Sequence, residues 1–451
     1  MNFFIRLLKW LSPGMKIKRW LFLSWLGLCF FSLGLILLAN LRTPIDIELG
    51  IVQLFHEKLG IRISSTIVDI FFLLLGLFLM YYGIRRWFKS IYNAIVPYEE
   101  KKLVEVLYEQ RQLETGYRIV VIGGGTGLST LLRGLKHYTT NITAVVTVSD
   151  DGGSSGRLRQ ELGILPPGDI RSCLVALSRD ESTLSSLFQY RFSLGSGLEG
   201  HSFGNLFLAA LNNIAGDFEK AVKLSSRILS IRGRVFPATL QTSVLCAEME
   251  DGRIIEGESN IPMAKGKVAR LFFRPEENKP LPEVLQALKE AEAIILGPGS
   301  LYTSVLPNML VEGMVQAIAE SKALKMYVCN VMTQPGETDD FTASDHIKAL
   351  FRHSRDRLVD YVFINDQMPT LLIEKYEAQG AFPVKPDIDE IKKLGVGIFS
   401  IPLINETNLV RHDSKKLAEE IIRFITEHKA RSYIRYKPGE SWKRLLGFLE
   451  R

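Results

Sequence analysis

The residues best placed to do chemistry in this sequence come in glycine-rich clusters. Val120-Val121-Ile122 runs into Gly123-Gly124-Gly125-Thr126-Gly127-Leu128-Ser129, followed by an apolar stripe through Leu131, Leu132 and Leu135. Glycines let backbone N–H groups close on an anion, and a helix start adds partial positive charge, so Gly123, Gly124, Gly125, Thr126 and Gly127 are candidate phosphate ligands. The spacing is not a strict dinucleotide G-x-G-x-x-G, because Leu128 stands where the third glycine belongs. No Gly-Lys-Ser/Thr follows to make a P-loop. The competing reading is a plain strand-to-helix turn.

A second cluster, Ser149-Asp150-Asp151-Gly152-Gly153-Ser154-Ser155-Gly156-Arg157, follows the apolar run ending at Val148. In nucleotide-binding folds a carboxylate at the end of the second strand accepts hydrogen bonds from ribose hydroxyls. A carboxylate pair also suits magnesium, so Asp150 and Asp151 are candidates for ribose, for Mg²⁺, or for a catalytic role that the sequence does not define. Ser149, Gly152, Gly153, Ser154 and Ser155 complete the candidate loop. Its bland alternative is that the aspartates cap the next turn and helix.

Pro166-Pro167-Gly168-Asp169-Ile170-Arg171 reads as a helix start with Asp169 at the N-cap, and Arg171 aimed either at phosphate or at Asp169. His201-Ser202-Phe203-Gly204-Asn205 precedes an apolar helix and serves either as its cap or as a ligand contact, with His201 and Asn205 the candidate ligands. Gly297-Pro298-Gly299-Ser300 is a third glycine turn after an apolar run, with Asn308 beyond it. Backbone amides and hydroxyls at Gly297, Gly299 and Ser300 suit phosphate or sugar. Cys329-Asn330-Val331-Met332-Thr333-Gln334-Pro335-Gly336-Glu337-Thr338 offers a fourth polar strand end, with Asn330 the candidate ligand. His346 and His353 lack carboxylate partners at metal spacing and read as core or surface residues.

These loops need a scaffold that brings strand ends together. From Arg118 onward short β-branched runs alternate with helical periodicity, the pattern of parallel strands joined by crossover helices. The expected strands are Arg118–Gly123, Ile142–Val148, Ala293–Leu296, Met326–Val331, Tyr361–Ile364 and Val396–Ile401. All are apolar on both faces, as a doubly covered sheet requires. A helical block spans Asp169 to about Leu229. Thr242–Met249 and Arg253–Glu258 flank Glu250-Asp251-Gly252 as a hairpin beside the main sheet. The fold class is α/β, a Rossmann-like and mostly parallel sheet with helical and small β insertions, preceded by two transmembrane helices.

The chain has 451 residues, 47% hydrophobic and 23% charged, which excludes disordered and fibrous classes. Its four cysteines, Cys29, Cys173, Cys246 and Cys329, lie too far apart for a zinc motif or a disulfide framework. Trp20–Ala39 and Thr66–Ile84 are long enough, at about 1.5 Å per residue, to cross a hydrocarbon core of about 30 Å. Asp69 sits near an end of the second span, where headgroups and water can hydrate it. Arg6, Lys9, Lys16, Lys18 and Arg19 precede the first span and Arg85, Arg86 and Lys89 follow the second. This bias predicts a multi-pass protein of the inner, cytoplasmic membrane with both termini in the cytoplasm. The net charge of +6 is explained by those flanks and needs no nucleic acid.

The expected organisation is a membrane anchor over 1–90, with spans at about 20–39 and 66–84, and a connecting segment over 91–117 containing a charged helix, Tyr98–Glu114. A nucleotide-binding domain follows over 118–431, then a basic amphipathic tail over 432–451. Phe3 to Leu11 and Trp442 to Leu449 have the pattern of short helices lying on a membrane surface, and a solvated helix or disordered tail is the equal alternative for the second.

Taken in order, the Gly123–Gly127, Ser149–Gly156, Pro166–Arg171, His201–Asn205 and Leu296–Asn308 motifs resemble the YvcK family, also called gluconeogenesis factors, relatives of the CofD-type 2-phospho-L-lactate transferases. The resemblance runs from about Arg118 to about Arg431. It implies a Rossmann-like domain binding a nucleotide-sugar such as UDP-glucose or UDP-N-acetylglucosamine, with a regulatory role in cell shape, envelope synthesis and growth on gluconeogenic carbon. Envelope-synthesis proteins and further copies of the chain are its candidate partners. The CofD relatives imply the alternative, a metal-dependent transferase acting on a nucleotide-activated donor, with magnesium the one candidate cofactor. Familiar members are soluble, so the apolar hairpin and the tail after Arg431 stand outside the pattern the resemblance covers.

Overall fold

Alternate residues of the first strand enter different cores: Val120 and Ile122 pack on one face of the sheet, Ile119 and Val121 on the other. A strand buried on both sides has no position for a polar residue, which is why its sequence is an unbroken apolar run. The computed structural model describes residues 18–39, 65–95, 110–179, 181–407 and 409–436.

The main sheet has seven strands: β1 (Ile119–Gly123), β2 (Ile142–Val146), β3 (Arg234–Pro237), β7 (Ala293–Leu296), β8 (Leu324–Val328), β9 (Tyr361–Asn365) and β10 (Gly397–Ile401). Between β3 and β7 the chain builds a separate antiparallel sheet from β4 (Val244–Met249), β5 (Ile254–Glu256) and β6 (Val268–Arg274). The main order is β10-β9-β8-β7-β1-β2-β3, with every neighbouring pair parallel. The chain runs outward from β1 through β2 to β3, then returns to place β7 on the other side of β1. That reversal opens a crevice at the carboxyl ends of β1 and β7, where open α/β sheets bind ligands. Two short strands, β11 (Ile404–Glu406) and β12 (Val410–His412), form an antiparallel pair beyond β10.

Six sheet strands lie where the sequence places them, with β8 ending at Val328 rather than at Val331. β3 is additional: it is a short edge strand ending in Pro237, and a proline is tolerated at an edge because that backbone has no outer partner. The expected hairpin forms as β4 and β5, and β6 adds a third strand.

The chain divides into two units, Met1–Tyr108 and Glu109–Arg451. In the first, α1 (Lys18–Leu38) and α2 (Ser65–Ile95) pair along small residues. A Cβ on Gly27 would stand 2.6 Å from Met80 N, and one on Gly34 2.7 Å from Leu73 N, so the glycines let the backbones approach as small residues do between membrane helices. Both helices are long and apolar enough to cross a membrane, by length and composition. Asp69 lies near the start of α2 as expected, but it is buried, and its carbonyl borders Gly34. Of the expected connecting helix, residues 110–114 are helical and the rest lies outside the described residues, as do the segments Phe3–Leu11 and Trp442–Leu449.

In the second unit α3 (Gly125–Leu135), α4 (Gly153–Leu162), α5 (Gly168–Leu177), α6 (Glu181–Gln189), α7 (Phe203–Ala215) and α8 (Phe218–Ile228) account for the early helices, including the expected helical block. Later come α9 (Ala343–Ser354) and α10 (Ser414–Tyr436). His346 is buried and His353 half-buried on α9, each ring donating back to a carbonyl one turn earlier. α10 packs on α3, where Ser414 Oγ donates to the Thr130 carbonyl at 2.7 Å.

Candidate functional site

β1 delivers Gly123 to the crevice, Gly124 continues in extended backbone, and α3 begins at Gly125 with φ +63°. A Cβ on Gly124 would lie 2.5 Å from Asp169 Oδ2, and one on Gly127 would lie 2.6 Å from the Pro298 carbonyl oxygen. The second contact joins this turn to Gly297-Pro298-Gly299, which leaves the end of β7. Close approach of side chains at Gly124 and of backbone at Gly127, and not flexibility alone, therefore requires glycine at these positions. Gly299 N–H donates to Asn330 Oδ1 at 3.2 Å, so the loop after β8 is tied to the same place. Ser300 caps the π-helical turn Leu301–Val305 and donates to the Glu337 carboxylate.

Between these loops lies a cleft of about 280 Å³. Its walls include Gly124–Gly127, Thr130, Gly299, Ser300, Asn330 and Gln334, with Arg411 and His412 from β12. Among the described residues lining it there is a cation, Arg411, and no carboxylate. Such a surface offers N–H and O–H donors and carries no negative charge.

The carboxylates gather to one side. Asp169, which lies on α5, accepts from the Gly125 N–H, and burial followed by the Asp150 charge pushes it up to about 7. Glu258, in the loop after β5, is pushed up to about 9 by burial first and then by Asp150, Asp169, Asp151 and Glu337. Burial also raises Glu337, against the hydrogen bonds it receives from Ser300, Tyr302 N–H and Thr303. Asp150 and Asp151 turn to different neighbours. Asp150 Oδ1 accepts from Gly152 N–H at 3.0 Å, and its Oδ2 lies 2.8 Å from where a Gly168 Cβ would stand. Asp151 Oδ1 accepts from Ser259 N–H at 2.9 Å.

Several sequence expectations take a different form. Asp169 is not the N-cap of α5: Pro167 occupies that position and Asp169 lies inside the first turn, where its carboxylate meets Gly125. Arg171 donates to Ser202 Oγ at 2.7 Å and to Ser172 Oγ at 3.3 Å. His201 Nδ1 lies 3.0 Å from Ser154 Oγ, and Asn205 donates to Ser154 and Ser155 Oγ at 3.1 and 3.4 Å. Ser202 caps α7, so the motif's capping reading holds at that residue. Ser149 Oγ pairs with Thr147 Oγ1 at 2.8 Å. Asn308 is fully buried behind the glycine turn and donates to the Gly123 and Ser304 carbonyls at 3.3 and 2.8 Å. The Ser149–Ser155 loop does not line the 280 Å³ cleft; Asp151, Gly153, Ser154 and Arg157 line a second depression of about 560 Å³.

Magnesium is the cofactor this donor set invites, because hard carboxylate oxygens suit it. Among the described residues no three His, Cys, Asp or Glu side chains converge to cage a metal. The mutual repulsion of Asp150 and Asp169 nonetheless fits an ion held by one or two carboxylates and completed by phosphate oxygens, as magnesium commonly is. Asp169 feels the Asp150 charge, while Asp151 accepts from Ser259 N–H.

Sequence reasoning did not single out Glu258, Arg411 or His412, and named Glu337 only as part of its loop. Glu258 lies in Glu256-Gly257-Glu258-Ser259, a stretch indistinguishable from a solvated turn until the small sheet folds it against Asp150. Arg411-His412-Asp413, just ahead of α10, offered a polar strand end like the others but without a glycine to mark it.

A parallel α/β sheet of Rossmann-like order with glycine turns at its reversal point defines the class. The sequence pattern of the family described as "2-phospho-L-lactate transferase CofD" matches residues 119–404. A gluconeogenesis factor of Bacillus subtilis is 50% identical over 312 residues, 69% of this chain and 98% of its own length. A Nostoc sp. relative, also named as a gluconeogenesis factor, is 49% identical over 420 residues, 92% of each chain. A crystal structure of a upf0052 family member from Bacillus halodurans superposes with a TM-score of 0.66 at 50% identity, covering 68% of this chain and 99% of that one. The chain belongs to the CofD family, among the YvcK-type gluconeogenesis factors. A match over 92% of the chain cannot fit within Glu109–Arg451, so the N-terminal unit is at least partly shared with longer relatives, which corrects the expectation that it departs from the family.

Proposed function

We propose that the chain is a regulatory protein that binds a nucleotide-sugar, with a uridine diphosphate sugar as the ligand, in the cleft between the Gly123–Gly127 and Gly297–Ser300 turns. The observation carrying this reading is the cleft's one-sided chemistry: amides, hydroxyls and Arg411 line it, and no described carboxylate does. Helix starts and glycine turns of this kind hold phosphate through backbone N–H groups. Asp150 and Asp169 would hold a magnesium ion arriving with the diphosphate, which supplies charge neutralisation there. The names of the relatives support a role in carbon metabolism. In this reading α1 and α2 anchor the chain in the cytoplasmic membrane with both ends inside, where its ligand reports carbon supply to envelope synthesis.

A second reading, a transferase acting on a nucleotide-activated donor, is favoured by the family description and by the carboxylates crowded beside the cleft. Glu258, held neutral, is then a proton donor in reach of those aspartates. Calorimetry of the full-length chain in detergent against UDP-glucose, UDP-N-acetylglucosamine and GDP, with and without magnesium, tests the first reading. Saturable binding of a UDP-sugar that pyrophosphate competes away is the expected result. No binding of any nucleotide-sugar overturns it, and conversion of a bound donor, followed by mass spectrometry, selects the transferase.

A further inference from the structure

The phosphate-binding turns leave one part of the cleft wall without a role. His412 ends β12 and lines the cleft, yet the residue is 8% exposed. One side of its ring donates to the backbone of Cys329, just beyond the end of β8. The other nitrogen, Nε2, is buried and has no hydrogen-bond partner. With the proton on Nδ1, Nε2 of a neutral imidazole is an acceptor only. Burial brings the ring down to about 4, so at neutral pH it does not become a donor. The strand is also fixed: His412 pairs with Ile404 across β11 and β12, and Val410 N–H donates to the Tyr376 hydroxyl at 3.1 Å.

An orphaned acceptor is repelled by phosphate oxygens, which bring only lone pairs. It is satisfied by an O–H or N–H donor. We propose that His412 Nε2 accepts a hydrogen bond from the uncharged half of the ligand, a sugar hydroxyl or the imide N–H of a uracil base, while the glycine turns hold its phosphates. The inference rests on the nucleotide-sugar reading above and deepens it by giving the ligand a direction in the cleft. If the donor is the base, cytosine is rejected, because its ring N3 is an acceptor where uracil carries N–H.

The test is calorimetry of the full-length chain and its His412→Phe and His412→Gln variants against UDP-glucose, UDP, CDP-glucose and pyrophosphate. His412→Phe keeps a ring and removes the acceptor; His412→Gln restores an acceptor oxygen. The expected result is an affinity for UDP-glucose about tenfold lower in His412→Phe, largely recovered in His412→Gln, with pyrophosphate affinity following neither change. A base donor predicts that UDP loses affinity equally and that CDP-glucose binds weakly throughout; a sugar donor predicts that UDP is unaffected. Wild-type affinity for UDP-glucose in His412→Phe overturns the inference while leaving the functional reading intact. Equal losses for UDP-glucose and pyrophosphate, or a loss that His412→Gln shares in full, also overturn it, since either marks a structural role. A wild-type chain that binds pyrophosphate and no nucleotide-sugar defeats the functional reading and this inference together.

Discussion

The cleft at β1 and β7 and the loops beside it, after β2 and β5, are built from opposite chemistry. The cleft presents donors and Arg411; the neighbouring loops present Asp150, Asp151, Asp169 and Glu258, two of them pushed far above the usual carboxylate range. Asp169 lies at the border of the two, since it accepts the Gly125 N–H and feels the Asp150 charge. The same contrast shows in the helix starts. α3, α4 and α5 begin without a side-chain cap, whereas α7, α8 and α9 are capped by Ser202, Asp217 and Thr342. A helix start without its own cap leaves first-turn amides for other partners, and that of α3 opens at the cleft. The difference teaches that an anion and a cation, or an anion and a hydroxyl, can be accommodated side by side without either region serving both.

The largest effect should follow from filling the donor side. Gly127→Val places a Cβ where the Pro298 carbonyl oxygen is 2.6 Å away. Nucleotide-sugar affinity should fall by about a hundredfold or more, with a loss of about 1–3 kcal/mol of stability from overpacking. Calorimetry and urea unfolding measure the two, and unchanged binding would remove the cleft from the account.

Separating the aspartates sharpens the acid side. Asp150→Asn should lower magnesium-supported affinity by about tenfold, since a charge-assisted hydrogen bond contributes about 1.5–3 kcal/mol. Asp151→Asn should instead cost about 1 kcal/mol of stability, because its carboxylate closes the 257–259 loop, and should leave binding nearly unchanged. Equal effects of the two variants on binding would mean that they act as one pair.

A smaller, pH-dependent effect belongs to Glu258. Its folded pKa of about 9 lies above an unfolded value of about 4.3, so between those limits the folded chain holds a proton that the unfolded chain has released. Its contribution is therefore fully present below about pH 4 and is lost as pH rises toward 9. Glu258→Gln removes that slope, and its gain in melting temperature over the native chain should grow steadily from pH 5 to pH 9. A constant difference would show that neither burial nor its acidic neighbours raise Glu258. The smallest effect is the control on the capped side: Asp217→Ala should cost about 1 kcal/mol in urea unfolding and leave binding untouched.

Much of the scaffold was legible because parallel strands covered on both faces must be apolar throughout, as Ile119–Ile122 and Ala293–Leu296 are. The glycine turns were legible because φ near +63° at Gly125, close side-chain contacts at Gly124 and close backbone contacts at Gly127 admit little else. β3 was not, since four residues at an edge carry no periodic signal. Asp169 was misassigned because Pro-Gly-Asp ahead of an apolar run looks like a cap from sequence alone, while its partner, Gly125, arrives only through packing. Glu258 and His412 share that reason: their partners, Asp150 and Cys329, come from other parts of the chain, and local spacing does not encode them.

The most direct test is a crystal structure of the chain with UDP-glucose and magnesium. The account predicts diphosphate oxygens at about 3 Å from the backbone N–H groups of the Gly124–Gly127 turn, with magnesium between them and Asp150 and Asp169. A diphosphate bound away from both glycine turns would contradict it.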